Sequence, residues 1–330
     1  MVTRFLLAIL LFLITFLTSA NTLVFDSQEV RGNSYSQIYQ VDLKEAPFNT
    51  PGVYRTKRIS LVPARDHDFL EPEFPITARN VLVADEKTNY PLFVHSAHEV
   101  VPLASITKLM TSIVMLDKNL NFDDIVEIKE SDLKGGVPEY LLIGESAKVK
   151  DLWNMMLVSS SNTALTALVR HLGLNEDEFV QQMQEKANEL FLFEVRFKDP
   201  TGLSPDNQGS ARNVARISHI AFSRPEISKA VTLSDYEFIT QNTGRPVKIN
   251  STDWLLNSYL NRSPYKILGG KTGYLDESKY NLVLSVRKYD HDILVVVLGS
   301  ESQETRFQEA AALARWVFNN YKWPNNISAQ

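Results

Sequence analysis

The 330-residue chain predicts an α/β fold: a central antiparallel sheet flanked by helices, with a helical subdomain inserted. Three observations predict it. Short β-rich apolar runs occur near residue 80. More of them follow residue 266. A long stretch of helical periodicity separates the two groups. The strand groups bury their faces most simply by joining one sheet. The final helix and the helix that starts near residue 105 would pack on it. Residues near 105 and near 271 then become neighbours despite their distance in sequence.

In chain order, "MVTR" and the uncharged run "FLLAILLFLITFL" (Phe5–Leu17) precede "TSA". This is the basic, apolar and small-residue pattern of a signal peptide over residues 1–20, cleaved after Ala20. A helix over the run spans about 20 Å, short of the roughly 30 Å of bilayer hydrocarbon. Residues 21–75 are punctuated by proline and glycine and read as an extended lead-in segment. The main domain is expected over 76–330.

"NVLVAD" (80–85) and "PLFVHS" (91–96), joined by "EKTNY", predict a hairpin. "SITKLMTSIVMLDK" (105–118) places apolar residues at 106, 109, 110, 113, 114 and 116, one helical face. Helices follow at 149–173 (in two pieces), 176–191 and 211–223, with a loop at "FKDPTGLSPDNQ" (197–208). "KILGGKTGY" (266–274) and "KYNLVLSVRKYDHDILVVVLGS" (279–300) are strands, the latter two turning at "KYDHD". "SQETRFQEAAALARWVFNNY" (302–321) is the closing helix.

Composition narrows the function. The net charge is −5 with no clustered Lys/Arg, which argues against a nucleic-acid partner. Cysteine is absent, so the chain has neither a disulfide nor a thiol nucleophile. His95 and His98 are the one close histidine pair. They read as strand-end surface residues, and no metal or organic cofactor is implied.

Serine precedes lysine by three positions at Ser105, Ser131, Ser263 and Ser285. Only Ser105 opens a long apolar helix, where residues i and i+3 share a face. A helix start also offers free N–H groups to an oxyanion. Lys108 could accept the serine proton if burial and a neighbouring cation lowered its pKa. Two further stretches matter: Ser160-Ser161-Asn162 at a break between helices, and Lys271-Thr272-Gly273, the one K-T-G in the chain.

S-x-x-K, S-x-N and K-T-G in that order resemble the motif set of the penicillin-recognising serine enzymes. "PLASITKLMT", "DLWNMMLVSSSNTA" and "KDPTGLSPDN" extend the resemblance to the low-molecular-mass penicillin-binding proteins, the serine D-alanyl-D-alanine peptidases, over about residues 75–320. The resemblance implies their transpeptidase-like fold. It makes Ser105 the acylated nucleophile and Lys108 its base. Ser160 would relay a proton to the leaving amine, and Asn162 would hold the substrate amide and Lys108. Lys271 would attract the substrate's terminal carboxylate and help depress Lys108; Thr272 would donate to that carboxylate. The N–H groups of Ser105 and Tyr274 would form the oxyanion hole, beside which Gly273 lets the strand lie close. "KDPTGL" receives no catalytic role. Serine at 161 departs from the commoner Gly, Ala or Glu.

The implied partners are peptidoglycan peptide stems and crosslinks, with β-lactams as covalent inhibitors. The implied location is periplasmic after export, with no stable membrane anchor. Only few, polar residues follow Tyr321, with no second β-rich domain or amphipathic anchor. This resembles the endopeptidase branch, which cuts D-alanyl crosslinks; a carboxypeptidase trimming pentapeptide stems is the alternative. A β-lactamase would need an E-x-x-L-N stretch, which is absent. A silent wall-binding protein would not need the paired nucleophile and base.

Overall fold

A computed structural model describes residues 37–41, 56–60, 62–66, 71–136 and 138–324. The expected signal peptide lies outside the described residues, as does most of the lead-in. The chain forms two compact units. The first spans residues 1–67 and 321–330. Within it β1 (Gln37–Val41) pairs antiparallel with β2 (Thr56–Ser60), and β3 (Ala64–Arg65) with Tyr321–Lys322. The second unit, 68–320, carries everything below.

The expected hairpin forms from β4 (Asn80–Asp85) and β5 (Pro91–His95). His95 and His98 are both exposed. β6 (Val101–Pro102) leads to a 3-10 turn, Ala104–Thr107, and then to helix α1 (Lys108–Asp117). The structure thus differs from the continuous helix expected at 105–118: Ser105 lies in the tighter turn ahead of α1. The short pair β7 (Ile125–Glu127) and β8 (Ser146–Lys148) precedes α2 (Val149–Val158) and α3 (Asn162–His171). α4 (Glu176–Glu189) starts at a capping box in which the Asn175 side chain and Glu178 satisfy each other's backbone N–H. β9 (Gln208–Gly209) pairs with β6, and α5 (Ala211–Phe222) starts at a Ser210–Asn213 box.

Helix α6 (Pro225–Val231) and the hairpin of β10 (Asp235–Ile239) with β11 (Pro246–Asn250) have no counterpart in the sequence expectation. The helix is seven residues long and opens on proline, too short to show a period. Strands β12 (Tyr265–Leu275), β13 (Lys279–Lys288) and β14 (His291–Ser300) then complete the sheet, whose order is β12-β13-β14-β4-β5, antiparallel throughout. The expected fold class is therefore observed.

The sheet interior is buried on both faces: β4 is buried at every residue, and β13 and β14 over most of their length. This explains their continuous apolar runs, since alternation appears only where one face meets water. α7 (Gln303–Asn320) covers one face, with Trp316 edge-on to Phe93 of β5 at 5.7 Å. The helices α1 through α6 share one core with the sheet, in which Leu109, Ile113, Leu152, Leu165, Phe179 and Met183 join Leu82, Val283, Leu294 and Val296. β12 ends the sheet on one side, so part of its backbone is free of the ladder. That edge meets the turn carrying Ser105.

Candidate active site

Two close approaches build the site. A Cβ on Gly273 would lie 3.0 Å from the Leu103 carbonyl and 3.1 Å from the Ser105 nitrogen. A Cβ on Gly202 would lie 2.1 Å from the Ala104 carbonyl, and Gly202 has φ +87°. Neither position accepts a side chain without moving the Ser105 turn. The turn itself is held in an unusual conformation, with Ala104 at φ 50°. Such backbone costs of order 1 kcal/mol or more and persists where its surroundings impose it. Asn281 of β13 contributes: its Nδ2 donates to the carbonyls of Pro102 and Leu103, each at 3.1 Å.

Lys108 is fully buried at the first position of α1. Its Nζ donates to Ser105 Oγ at 2.9 Å, Asn162 Oδ1 at 2.7 Å and the Thr201 carbonyl at 2.6 Å. All three ammonium donors are thereby used. Burial lowers the Lys108 pKa to about 7, with the Asp199 carboxylate opposing. The amine is therefore present in quantity at neutral pH. Asn162 is fixed from its other end, where Nδ2 donates to the Gly135 carbonyl at 2.6 Å.

The three consecutive serines have separate tasks. Ser159 Oγ donates to the Met155 carbonyl within α2. Ser161 caps α3 by accepting from the Ala164 N–H at 3.1 Å. Ser160, at φ 62°, turns into the site and accepts from Lys271 Nζ at 2.9 Å. Lys271 is 1% exposed and also donates to the Thr272 carbonyl. Its pKa is well below the ordinary lysine value, first from burial, then from the charges of Lys108 and Arg306, with Asp253 opposing. Thr272 shares a 2.6 Å hydrogen bond with the Thr252 hydroxyl. Tyr274 is 46% exposed at the end of the strand, its ring against Tyr280 at 4.4 Å.

The structure therefore brings together Ser105, Lys108, Ser160, Asn162, Lys271, Thr272 and Gly273 from three elements, the Ser105 turn and the break between α2 and α3. The arrangement offers a hydroxyl beside an amine poised near neutrality, and a second hydroxyl beside a second buried lysine. A sequence profile described as D-alanyl-D-alanine carboxypeptidase matches residues 68–302 of the chain. The chain belongs to that family.

Family relatives show the range of activities. A D-alanyl-D-alanine endopeptidase of Pseudomonas aeruginosa is 29% identical over 244 residues, covering 73% of this chain and 77% of that one. A D-alanyl-D-alanine endopeptidase of Escherichia coli is 27% identical, with 75% and 78% covered. The carboxypeptidase DacF of Bacillus subtilis is 29% identical, with 74% of this chain and 63% of that one covered. The crystal structure of the Streptomyces K15 DD-transpeptidase superposes with a TM-score of 0.69 at 25% identity, covering 74% of this chain and 98% of the other. The enzyme class expected from the sequence, a serine-type D-alanyl-D-alanine peptidase, holds at the level of the family.

Three residues that contact this cluster, directly or through one another, were not singled out in the sequence. Thr201 and Asp199 sit in "KDPTGL", expected to be a bare turn. The Asp199 carboxylate gathers the N–H groups of Thr201, Gly202 and Ser204 at 2.7–2.8 Å, which aims the Thr201 carbonyl at Lys108. The Asp-Pro-Thr-Gly composition signals the turn but not its target. Arg306 is the third. It is buried beneath the strand and donates to the Gly273 carbonyl at 3.1 Å. Its pKa falls to about 10, mainly from burial. Nothing in "QETRFQEA" separates it from a surface arginine.

Proposed function

We propose that the chain hydrolyses D-alanyl crosslinks in peptidoglycan through an acyl-enzyme on Ser105. The observation that carries this reading is the Lys108 amine, 2.9 Å from Ser105 Oγ and held near neutrality by burial. The free amine takes the Ser105 proton as Oγ attacks the D-alanyl carbonyl carbon. The resulting oxyanion is met by the Ser105 N–H and the Tyr274 N–H across the Gly273 approach. The C–N bond then breaks, and the leaving amine takes a proton through Ser160. Water attacks the ester and restores Ser105. Lys271 and Thr272 hold the substrate carboxylate at the cationic end, and Asn162 holds the substrate amide. A β-lactam places its ring carbonyl in the same position and acylates Ser105.

The endopeptidase reading is supported by the names of the Pseudomonas and Escherichia relatives. The family description and the Bacillus relative favour a carboxypeptidase. The two differ only in the amine that leaves. Export to the periplasm is supported by the pattern of residues 1–20. Among the described residues no helix is long and apolar enough to cross a membrane.

Digestion of crosslinked and uncrosslinked muropeptides side by side tests the choice. Conversion of dimers to monomers is expected. Release of D-alanine from pentapeptides with dimers left intact would overturn the endopeptidase reading. Mapping a labelled penicillin to any residue other than Ser105 would overturn the mechanism.

A further inference from the structure

Thr252 has no part in the steps above, yet its hydroxyl shares the 2.6 Å hydrogen bond with Thr272. Its placement is fixed from three sides. The Thr252 N–H donates at 3.1 Å to the carbonyl of Val158, the last residue of α2 and two positions before Ser160. Before it, the Ser251 N–H donates to the Ser234 carbonyl at 2.9 Å. After it, Asp253 Oδ1 accepts from the Leu255 N–H at 2.9 Å and caps the 3-10 turn Trp254–Asn257.

The same segment lies against β12. A Cβ on Gly270 would fall 2.3 Å from Asp253 Oδ2. Alternation along a strand puts residues 270 and 272 on one face. Asp253 thus lies against Gly270 and Thr252 against Thr272, side by side along that face. Thr252 is tied by its backbone to the helix that leads to Ser160. It is tied by its side chain to the strand that carries Lys271 and Thr272.

Two hydroxyls carry two hydrogens, and each rotates to suit its acceptor. Within the pair one hydrogen is used, and among the described residues neither hydroxyl donates to a further acceptor. Thr272 is 4% exposed and Thr252 is half-buried, so the pair opens outward at Thr252. Two donors at this separation match the fork of a carboxylate, each reaching one oxygen, and bonds to a charged acceptor are the strong ones.

We propose that Thr252 is a second donor of the carboxylate subsite: it and Thr272 each give a hydrogen bond to one oxygen of the substrate's terminal carboxylate. This role rests on the carboxylate-binding reading of Lys271 and Thr272 given above. On binding, the bond between the two hydroxyls is exchanged for two bonds to the anion, and no proton changes owner.

The test follows acylation of Ser105 in the full chain by a penicillin free acid and by its methyl ester. Thr252→Val keeps the branched shape and removes the hydroxyl. It should slow the acid about tenfold, the loss expected for one hydrogen bond to a charged group. The ester, which offers no charge, should slow by at most about threefold. Thr252→Ser returns a hydroxyl and should bring the acid to within about threefold of wild type. Equal slowing of acid and ester, an unchanged rate with the acid, or no recovery in the serine variant overturns the proposal and leaves Thr252 a brace between α2 and β12. Absence of any acid-over-ester preference in wild type would instead remove the carboxylate reading of Lys271 and Thr272, and the role of Thr252 with it. Should the valine variant fail to fold, Thr252→Ala removes the same hydroxyl and carries the same comparison.

Discussion

Two buried lysines face each other across the cleft, and their surroundings differ in kind. Lys108 donates to a hydroxyl, an amide oxygen and a peptide carbonyl, all within 2.9 Å, and burial lowers its pKa against the Asp199 carboxylate. Lys271 has one hydroxyl and one carbonyl, and burial with the charges of Lys108 and Arg306 lowers its pKa against Asp253. What separates the two is the hydroxyl each reaches: Lys108 meets Ser105 Oγ at the turn, and Lys271 meets Ser160 Oγ from the strand.

The largest expected effect separates these roles. Lys108→Ala should lower acylation of Ser105 about 10²–10⁴-fold for acid and ester ligands alike, as loss of a general base does. Lys271→Ala should slow the carboxylate ligand and leave the ester much less affected. Stopped-flow acylation rates with both ligands decide it. Equal sensitivity of the two ligands in both variants would dissolve the distinction between the lysines.

The pH profile sharpens it further. Lys108 with a pKa of about 7 is protonated below that pH and cannot accept the serine proton. Acylation should therefore fall about tenfold per pH unit below about 7 and level off above it, measured with the ester to exclude titration at the carboxylate end. A limb placed near the ordinary lysine value would show that burial does not act as described.

Gly202→Ala probes the turn that both sides share. The added Cβ would meet the Ala104 carbonyl at 2.1 Å in a backbone at φ +87°. The Ser105 turn must shift, and misplacement by about 1 Å costs about 10²-fold in rate. Thermal melting should also drop, from strain of about 1–3 kcal/mol. Unchanged acylation would mean that the Asp199 turn is not what aims Lys108.

Much of this was legible in the sequence because the chemistry sits where local signals are strong. Ser105 and Lys108 share a face at three-residue spacing, and Lys271 lies within the strand "KILGGKTGY". The hairpin at 80–95 and the pair 279–300 announced themselves by length and β-branched content. What stayed hidden depends on tertiary contact. Arg306 was not singled out in the sequence, because only the packed structure brings it to the Gly273 carbonyl of β12. The low pKa of Lys108 was expected from burial and a neighbouring cation together; burial is the cause that lowers it, and burial is a property of the assembled fold. The sequence expectation also ran α1 through Ser105, since periodicity cannot distinguish a 3-10 turn from the first turn of an α-helix.

The smallest effect tests the finest point of register, the run Ser159-Ser160-Ser161. Adjacent serines are chemically alike, and only their bonds separate them. Ser161 Oγ accepts from the Ala164 N–H and reaches no other group of the site. Ser161→Ala should therefore remove a helix cap, costing about 1 kcal/mol of stability, with acylation within about twofold of wild type. Ser160→Ala should do the reverse. It removes the partner of Lys271 and leaves α3 capped, so activity falls while the melting curve barely moves. Measuring both curves and both rates on the two variants decides the assignment. The opposite pattern, activity lost with Ser161 and stability with Ser160, would place the S-x-N motif one residue away from where the structure puts it.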